Sequence, residues 1–244
     1  MKYIVIDERI SAAAEAKLEE LGFTVFKLPA HRGLSPAVRS HTDMLFLRLG
    51  EVIFTPREYR DENPELLVKL EAALAPLRFI YTEDALGSEY PADAKLNCLV
   101  MGKRLFCNKK TLSPEVLEYA EATGYKIIGV KQGYPACTAL PIGEDTAITA
   151  DRGMARALSS AGIRVITVED TEGISLPPHK FGFIGGCCHR FGNEYLFFGN
   201  AERYEFFPAL SRAIEERGGK IISLDPYSDR LFDLGGATSY EKSI

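Results

Sequence analysis

No stretch of this 244-residue sequence approaches the roughly 18 consecutive apolar residues of a membrane-crossing helix. The N-terminal apolar run, Tyr3 to Ile6, is too short for a secretory signal and has Asp7, Glu8 and Arg9 behind it. A cytoplasmic location without membrane contact is the expectation. Surplus positive charge is also missing. Lys and Arg number 29 against 34 Asp and Glu, a net charge of −5, so the general attraction to phosphate is lacking and no nucleic-acid partner is expected. The five cysteines, Cys98, Cys107, Cys137, Cys187 and Cys188, form no C-x-x-C pair and no even, regular framework, which argues against secreted disulfides. Neighbouring strand residues point to opposite faces, so Cys187 and Cys188 make a poor clamp and no metal is expected. Phosphate-loop, H-E-x-x-H and G-x-S-x-G motifs are absent, and the glycines of 182–186 precede a strand pattern rather than a helix, so no cofactor is expected. No Pro/Gly/Ser-rich linker divides the chain. What remains, 46% hydrophobic and 26% charged, is the composition of a folded protein, and its length allows one large domain or two small ones.

An internal period decides between them. Helical patterns run over Ser11–Leu21, Pro64–Leu74, Ser113–Ala122, Gly153–Ala161 and Ala201–Arg217. Four end at or just before a glycine suited to a helix C-terminus (Gly22, Gly124, Gly162, Gly218), and the other stops at Pro76. A β-branched or aromatic run follows each: Phe23–Leu28, Arg78–Thr82, Tyr125–Val130, Ile163–Val168 and Lys220–Leu224. Between units lie paired short apolar runs around glycine-bearing turns: Met44–Leu49 with Val52–Phe54, Cys98–Met101 with Leu105–Cys107, Thr138–Ile142 with Thr146–Thr149, and Cys188–Phe191 with Tyr195–Phe198. The fifth hairpin is split, its strands being Ala237–Tyr240 and Tyr3–Ile6. Asp7, Pro56, Asn108, Asp151 and Asn200 stand where each second strand gives way to a helix, spaced 49, 52, 43 and 49 residues apart, and suit helix starts. Five ββαβ units over residues 1–244, forming one domain, are predicted. The irregular stretches Pro29–Ser40 and Asp84–Ala94 recur at one position of the unit, where loops gather into a binding face.

This pattern resembles the pentein fold, a five-bladed pseudo-symmetric α/β propeller whose last blade is closed by both termini. The segments His41-Thr42-Asp43-Met44, Val130 to Cys137, Ile148 to Asp151, Gly182 to Gly186 and Phe232 to Gly235 are similar to those of an uncharacterised bacterial family assigned to that fold. The resemblance implies a relation to guanidino-group modifying enzymes, in which a cysteine attacks the guanidinium carbon, a histidine handles protons and carboxylates hold the cation. In those enzymes the cysteine follows a glycine-rich turn in the last repeat. Here that segment reads Gly235-Gly236-Ala237-Thr238-Ser239, with no cysteine.

His41 and Asp43 open the first hairpin, so both side chains are predicted on one strand face at the mouth of a central channel. Asp43 can pair with a cation and His41 can move protons; a turn cap and a structural histidine are the plainer roles. Cys137 opens the third hairpin and is a candidate nucleophile displaced to another unit, or a small buried hydrophobe. Gly185 and Gly186 can bring backbone amides to a ligand, with Cys187 and His189 as thiolate and base on one face; the glycines can equally serve crowded packing. Asp233 adds a carboxylate or caps a turn. Asp151 reads as a helix cap, His31 and His179 as solvated loop residues, and Phe181, Phe183, Phe191, Phe197, Phe198, Phe206 and Phe207 as packing. The predicted function is binding or modification of a small guanidino- or amidine-type cation in a central pocket. The alternative is a non-catalytic module for a macromolecular partner. Nothing in the sequence specifies an oligomeric state.

Overall fold

The computed structural model describes residues 1–169 and 172–242, a mixed α/β chain in which five three-stranded sheets share one plan. In each, a central strand pairs antiparallel with one neighbour and parallel with the other. The central strands are Lys2–Asp7, Val52–Pro56, Arg104–Cys107, Thr146–Thr149 and Glu194–Phe197. The parallel partner always follows a helix: Phe23–Leu28 after Ala12–Glu20, Arg78–Thr82 after Pro64–Leu74, Lys126–Gly129 after Pro114–Ala122, Arg164–Thr167 after Arg152–Ser160, and Lys220–Ser223 after Phe207–Glu215. The split hairpin forms as the sequence predicts. Ala237–Glu241 runs antiparallel to the N-terminal strand, with Thr238 opposite Val5 and Tyr240 opposite Tyr3. A short parallel pair, Ile174–Ser175 with Leu231–Phe232, lies outside the repeat. No helix of the described residues is long and apolar enough to cross a membrane.

The central strands are apolar on both faces because each face feeds a different core. Ile4 and Ile6 enter one hydrophobic cluster while Val5 enters another. Val52 and Phe54 likewise part from Ile53, Leu105 from Phe106, Ala147 from Ile148, and Leu196 from Phe197. Alternation with period two therefore sends successive side chains into neighbouring units. Five clusters result, and each joins two units: first with second, second with third, third with fourth, fourth with fifth, and fifth with first, where Leu196, Phe198 and Ile222 meet Ile4, Ile6 and Leu18. The helices complete these clusters with short apolar stripes such as Leu67, Leu70 and Leu74, each buried to within about 1%.

Several boundaries differ from the sequence prediction. Asp7 does not open the first helix. Ser11 caps it by accepting from the Ala14 amide at 3.1 Å, and Asp7 is instead fully buried, bound by Arg9 and by the Ser40 hydroxyl at 2.8 Å. Asn108 shapes a turn by accepting from the Lys110 amide, and the helix begins six residues later at Pro114, behind Ser113. Asp151 caps its helix through the Met154 amide at 2.6 Å. The expected helix 201–217 is divided into a single turn, Ala201–Arg203, and the helix Phe207–Glu215, because Pro208 has no amide hydrogen and fits only a first turn. His31 is not solvated. It is 2% exposed, with Nδ1 accepting from the Gly33 amide and Nε2 3.3 Å from Glu58.

Candidate functional site

Three of the hairpins are preceded by one-turn helices rather than by continuing strand: Thr42–Leu45, Pro135–Thr138 and the tighter turn Ile184–Cys187. This replaces the predicted strand-face geometry. His41 flanks the first of these helices and Asp43 lies within its first turn, so the helix start, not a pleat, aims them inward. The amides of Thr42 and Asp43 donate to the carbonyls of Leu234 and Gly235 at 3.5 and 3.1 Å, tying this helix to the segment that leads into the strand Ala237–Glu241. Asp233 lies at the head of that segment. Its carboxylate accepts from the Phe183 amide at 2.8 Å and the Gly235 amide at 3.1 Å. Cys137 sits on the second one-turn helix, which Asn97 steadies by accepting from the Ala136 amide at 2.9 Å.

These elements bring together side chains from three distant stretches of sequence, His41 with Asp43, Asn97 and Cys137, against the backbone of a fourth at Asp233. The Cys137 thiol donates to Asp43 Oδ2, and Asn97 Nδ2 donates to the same oxygen at 2.9 Å. His41 Nε2 lies 3.1 Å from the Asp233 carbonyl oxygen. A carbonyl only accepts, which assigns the hydrogen to Nε2. Nδ1, buried and without a hydrogen-bond partner, then faces Asp43 Oδ1 at 3.9 Å, and that oxygen is likewise buried and unpartnered. In the neutral tautomer these are two acceptors facing each other, an arrangement that calls for a donor between them. Backbone fits closely around the cluster. A Cβ on Gly186 would stand 1.8 Å from Asp233 Oδ1, and one on Gly235, whose φ is +67°, 2.4 Å from Asp43 Oδ1.

Burial pushes the Asp43 carboxyl up to about 6, and Asp233 adds to the rise; His41, Cys137 and Asn97 offset part of it. The Cys137 thiol is held well above its ordinary value by burial and then by the Asp43 and Asp233 carboxylates, the opposite of the low-lying thiol expected of a pre-activated nucleophile. His41, Cys137 and Asp233 place nitrogen, sulfur and oxygen donors within 4.8 Å of one another, a set that by type could hold a divalent transition ion.

A cavity of about 570 Å³ opens onto this cluster, lined by His41, Cys137 and Asp233 at its floor and by Tyr90, Asp93, Tyr134, Phe181 and Phe183 on its walls. Its lining carries the acidic residues Glu89, Asp93 and Asp233 and, among the described residues, no Lys or Arg. A second cavity of about 330 Å³ lies on the Asp43 side and includes Gly185, His189 and Arg48. Cys187 and His189 do not share the strand face expected of them. Cys187 ends the tight turn and donates to the Phe183 carbonyl at 3.1 Å, while His189 Nε2 pairs with Ser239 Oγ at 2.7 Å. Burial holds the Cys187 thiol up and takes the His189 imidazole down to about 4. Gly185 packs against the carbonyl oxygens of Ala136, Cys137 and Ala139, with 2.1 Å the nearest approach of an added Cβ. Asn97, Asp93 and Asp7 were not among the sequence candidates. Asn97 and Asp93 lie at the end of the irregular stretch 84–94 and just beyond it, and that stretch was the signal.

The sheet plan defines a class of fold. The chain matches, over nearly its whole length, DDAH from Pseudomonas aeruginosa complexed with citrulline (TM-score 0.58, 10% identity, 98% of each chain). It matches agmatine deiminase from C. jejuni (0.55, 11% identity, 92% of this chain and 86% of that one). It also matches an amidinotransferase of the saxitoxin biosynthetic pathway from Microseira wollei (0.53, 13% identity, 93% and 80%). These are pentein-fold proteins, and the likeness identifies this chain as having that fold. Residues 5–238 match the model of the family of unknown function DUF6873, and the chain belongs to that family. No curated protein matches it in sequence.

Proposed function

We propose that the five units close into one ring-shaped domain whose central pocket binds a small guanidino- or amidine-type cation, with Cys137 placed to react with it. Support for the ring comes from the five cores, each shared between consecutive units and the last linking the fifth unit to the first. The observation that carries the binding role is the buried pair His41 Nδ1 and Asp43 Oδ1, 3.9 Å apart and both without a hydrogen-bond partner, with His41 lining the acidic cavity and Asp43 the second one. A planar cation with several N–H donors satisfies both at once, as a single hydroxyl cannot. The solved structures that share the fold act on or hold compounds of related chemistry, one with citrulline bound and one an agmatine deiminase.

In this reading, cation binding changes the chemistry of the thiol. The positive charge offsets the carboxylates that hold the Cys137 proton in place, and Asp43 Oδ2, already in contact with Sγ, takes that proton. Sγ then forms a bond to the central carbon, the bond from that carbon to one nitrogen breaks, and the amine leaves with the proton that Asp43 took. Water adds to the carbon of the S-linked adduct, breaking the carbon–sulfur bond and returning a proton to the thiolate. Ser239 and its neighbours, where related enzymes place a cysteine, take no part. The test is incubation with a panel of alkylguanidines and amidines, reading released amine and the intact mass. Release of amine, with a Cys137 adduct and loss of both in Cys137→Ser, supports the mechanism. Turnover unchanged in Cys137→Ser removes it.

A further inference from the structure

The second cavity, of about 330 Å³, is opposite in charge to the first. Its lining carries Arg48 and Arg190, with Asp43 the one acidic residue among the described lining residues. Asp43 is no partner for either arginine, because Oδ2 accepts from Cys137 and Asn97 while Oδ1 is buried beside His41. Arg48 is half-buried and firmly held. Nε donates to the Gly50 carbonyl at 2.9 Å, Nη1 to the Ser239 carbonyl, and the guanidinium lies over the Tyr240 ring at 5.7 Å. Nη2 donates to no described residue. Arg190 is exposed, with Nε fixed on the Gly192 carbonyl at 2.9 Å, and its two outer nitrogens are free in the same sense. Neither arginine forms an ion pair with a described residue. A guanidinium withdrawn from water without a carboxylate is costly, and burial holds Arg48 below its ordinary value. The same Ser239 that accepts from Arg48 meets His189 Nε2 through its hydroxyl at 2.7 Å, so one residue of the strand Ala237–Glu241 sets both side chains. Burial keeps His189 uncharged at neutral pH, which leaves the arginines as the source of positive charge.

We infer that this second cavity binds a small carboxylate with an apolar body, its oxygens taking the Arg48 N–H groups that the backbone leaves free and its charge completed by Arg190. A planar carboxylate matches a guanidinium in two-point geometry. Leu47, Leu99, Leu140 and Pro141 line the cavity and suit a hydrocarbon body, and its volume stands at the small end of ligand pockets. Asp43 in the same lining opposes a second negative charge, which favours a carboxylate over a phosphate dianion. The site needs no occupant on the His41 side, so it stands or falls separately from the cation site.

The experiment titrates butyrate, its uncharged counterpart butyramide, and inorganic phosphate into the wild type, Arg48→Gln and Arg190→Gln by calorimetry, with the melting temperature of each protein alongside. The wild type is expected to bind butyrate saturably and one-to-one, with phosphate weaker and butyramide weaker by about tenfold or more, the worth of hydrogen bonds to a charged group. Arg48→Gln should weaken butyrate by about tenfold or more, and Arg190→Gln by a smaller factor, since its charge is exposed and screened. Absence of saturable butyrate binding, butyramide bound as tightly as butyrate, or affinity unchanged in both variants overturns the inference. Phosphate bound more tightly than butyrate overturns the assignment to a carboxylate. If Arg48→Gln melts far below the wild type, Arg190→Gln and the preference for butyrate over butyramide decide the question.

Discussion

Asp43 shows what a residue gains from its surroundings. Its carboxyl sits near 6 because burial, reinforced by Asp233, disfavours the charge more than His41, Cys137 and Asn97 favour it. A carboxyl raised in the folded state stabilises the fold fully only when protonated, below about pH 4, and that contribution is lost as the pH rises through 6. The rise from 3.8 to about 6 corresponds to roughly 3 kcal/mol. Asp43→Asn should therefore gain on the wild type in melting temperature as the pH is raised from 4 to 7; a difference that stays constant with pH contradicts the placement of this carboxyl. His41, Asp43, Cys137 and Asp233 were readable as candidates from residue type and their recurrent position in the unit. Their true neighbours were not: Asn97 is an amide in a loop with no motif, and Asp7, whose Oδ2 lies 3.9 Å from His41 Nε2, reads as a cap until Arg9 and Ser40 are seen to hold it.

Among elements, the strands and helices of the repeat were readable because each carries a period long enough to detect. Phe23–Leu28, Arg78–Thr82 and Pro64–Leu74 fall on their predicted bounds. The one-turn helices before the hairpins were not, since four residues hold no helical period and their apolar side chains merge into the strand that follows, as Met44 and Leu45 do with Leu47–Leu49. Those turns aim His41, Asp43 and Cys137 inward, so their geometry differs from the strand-face arrangement the sequence predicts. The helices act as wedges between units. Leu70, fully buried beside Val5 and Ile53, joins the first two. Leu70→Ala should cost about 2–5 kcal/mol in chemical denaturation, with the cavity left behind accounting for the upper part of that range. A loss under about 1 kcal/mol means the shared core is looser than described.

For the molecule as a whole, assembly and function are one problem. His41 and Asp43 come from the segment between the first and second units, Cys137 from that opening the fourth sheet, and Asp233 from the run that leads back to the N-terminal strand, so no single unit contains the site. Pairing Ala237–Glu241 with the N-terminal strand sets the Leu234 and Gly235 carbonyls against the His41 helix, so the contacts that join the two ends of the chain also border the pocket. The repeat made that strand pairing readable from sequence; the chemistry of the pocket was only partly so, because burial decides it. The central claim is that Asp43 and His41 share a planar cation. Calorimetric titration of butylguanidine into the wild type and Asp43→Asn tests it most directly. The account predicts saturable one-to-one binding that weakens by about tenfold or more in the variant, as expected for losing a hydrogen bond to a charged partner. Equal affinity in the two proteins, or no saturable binding in the wild type, contradicts it.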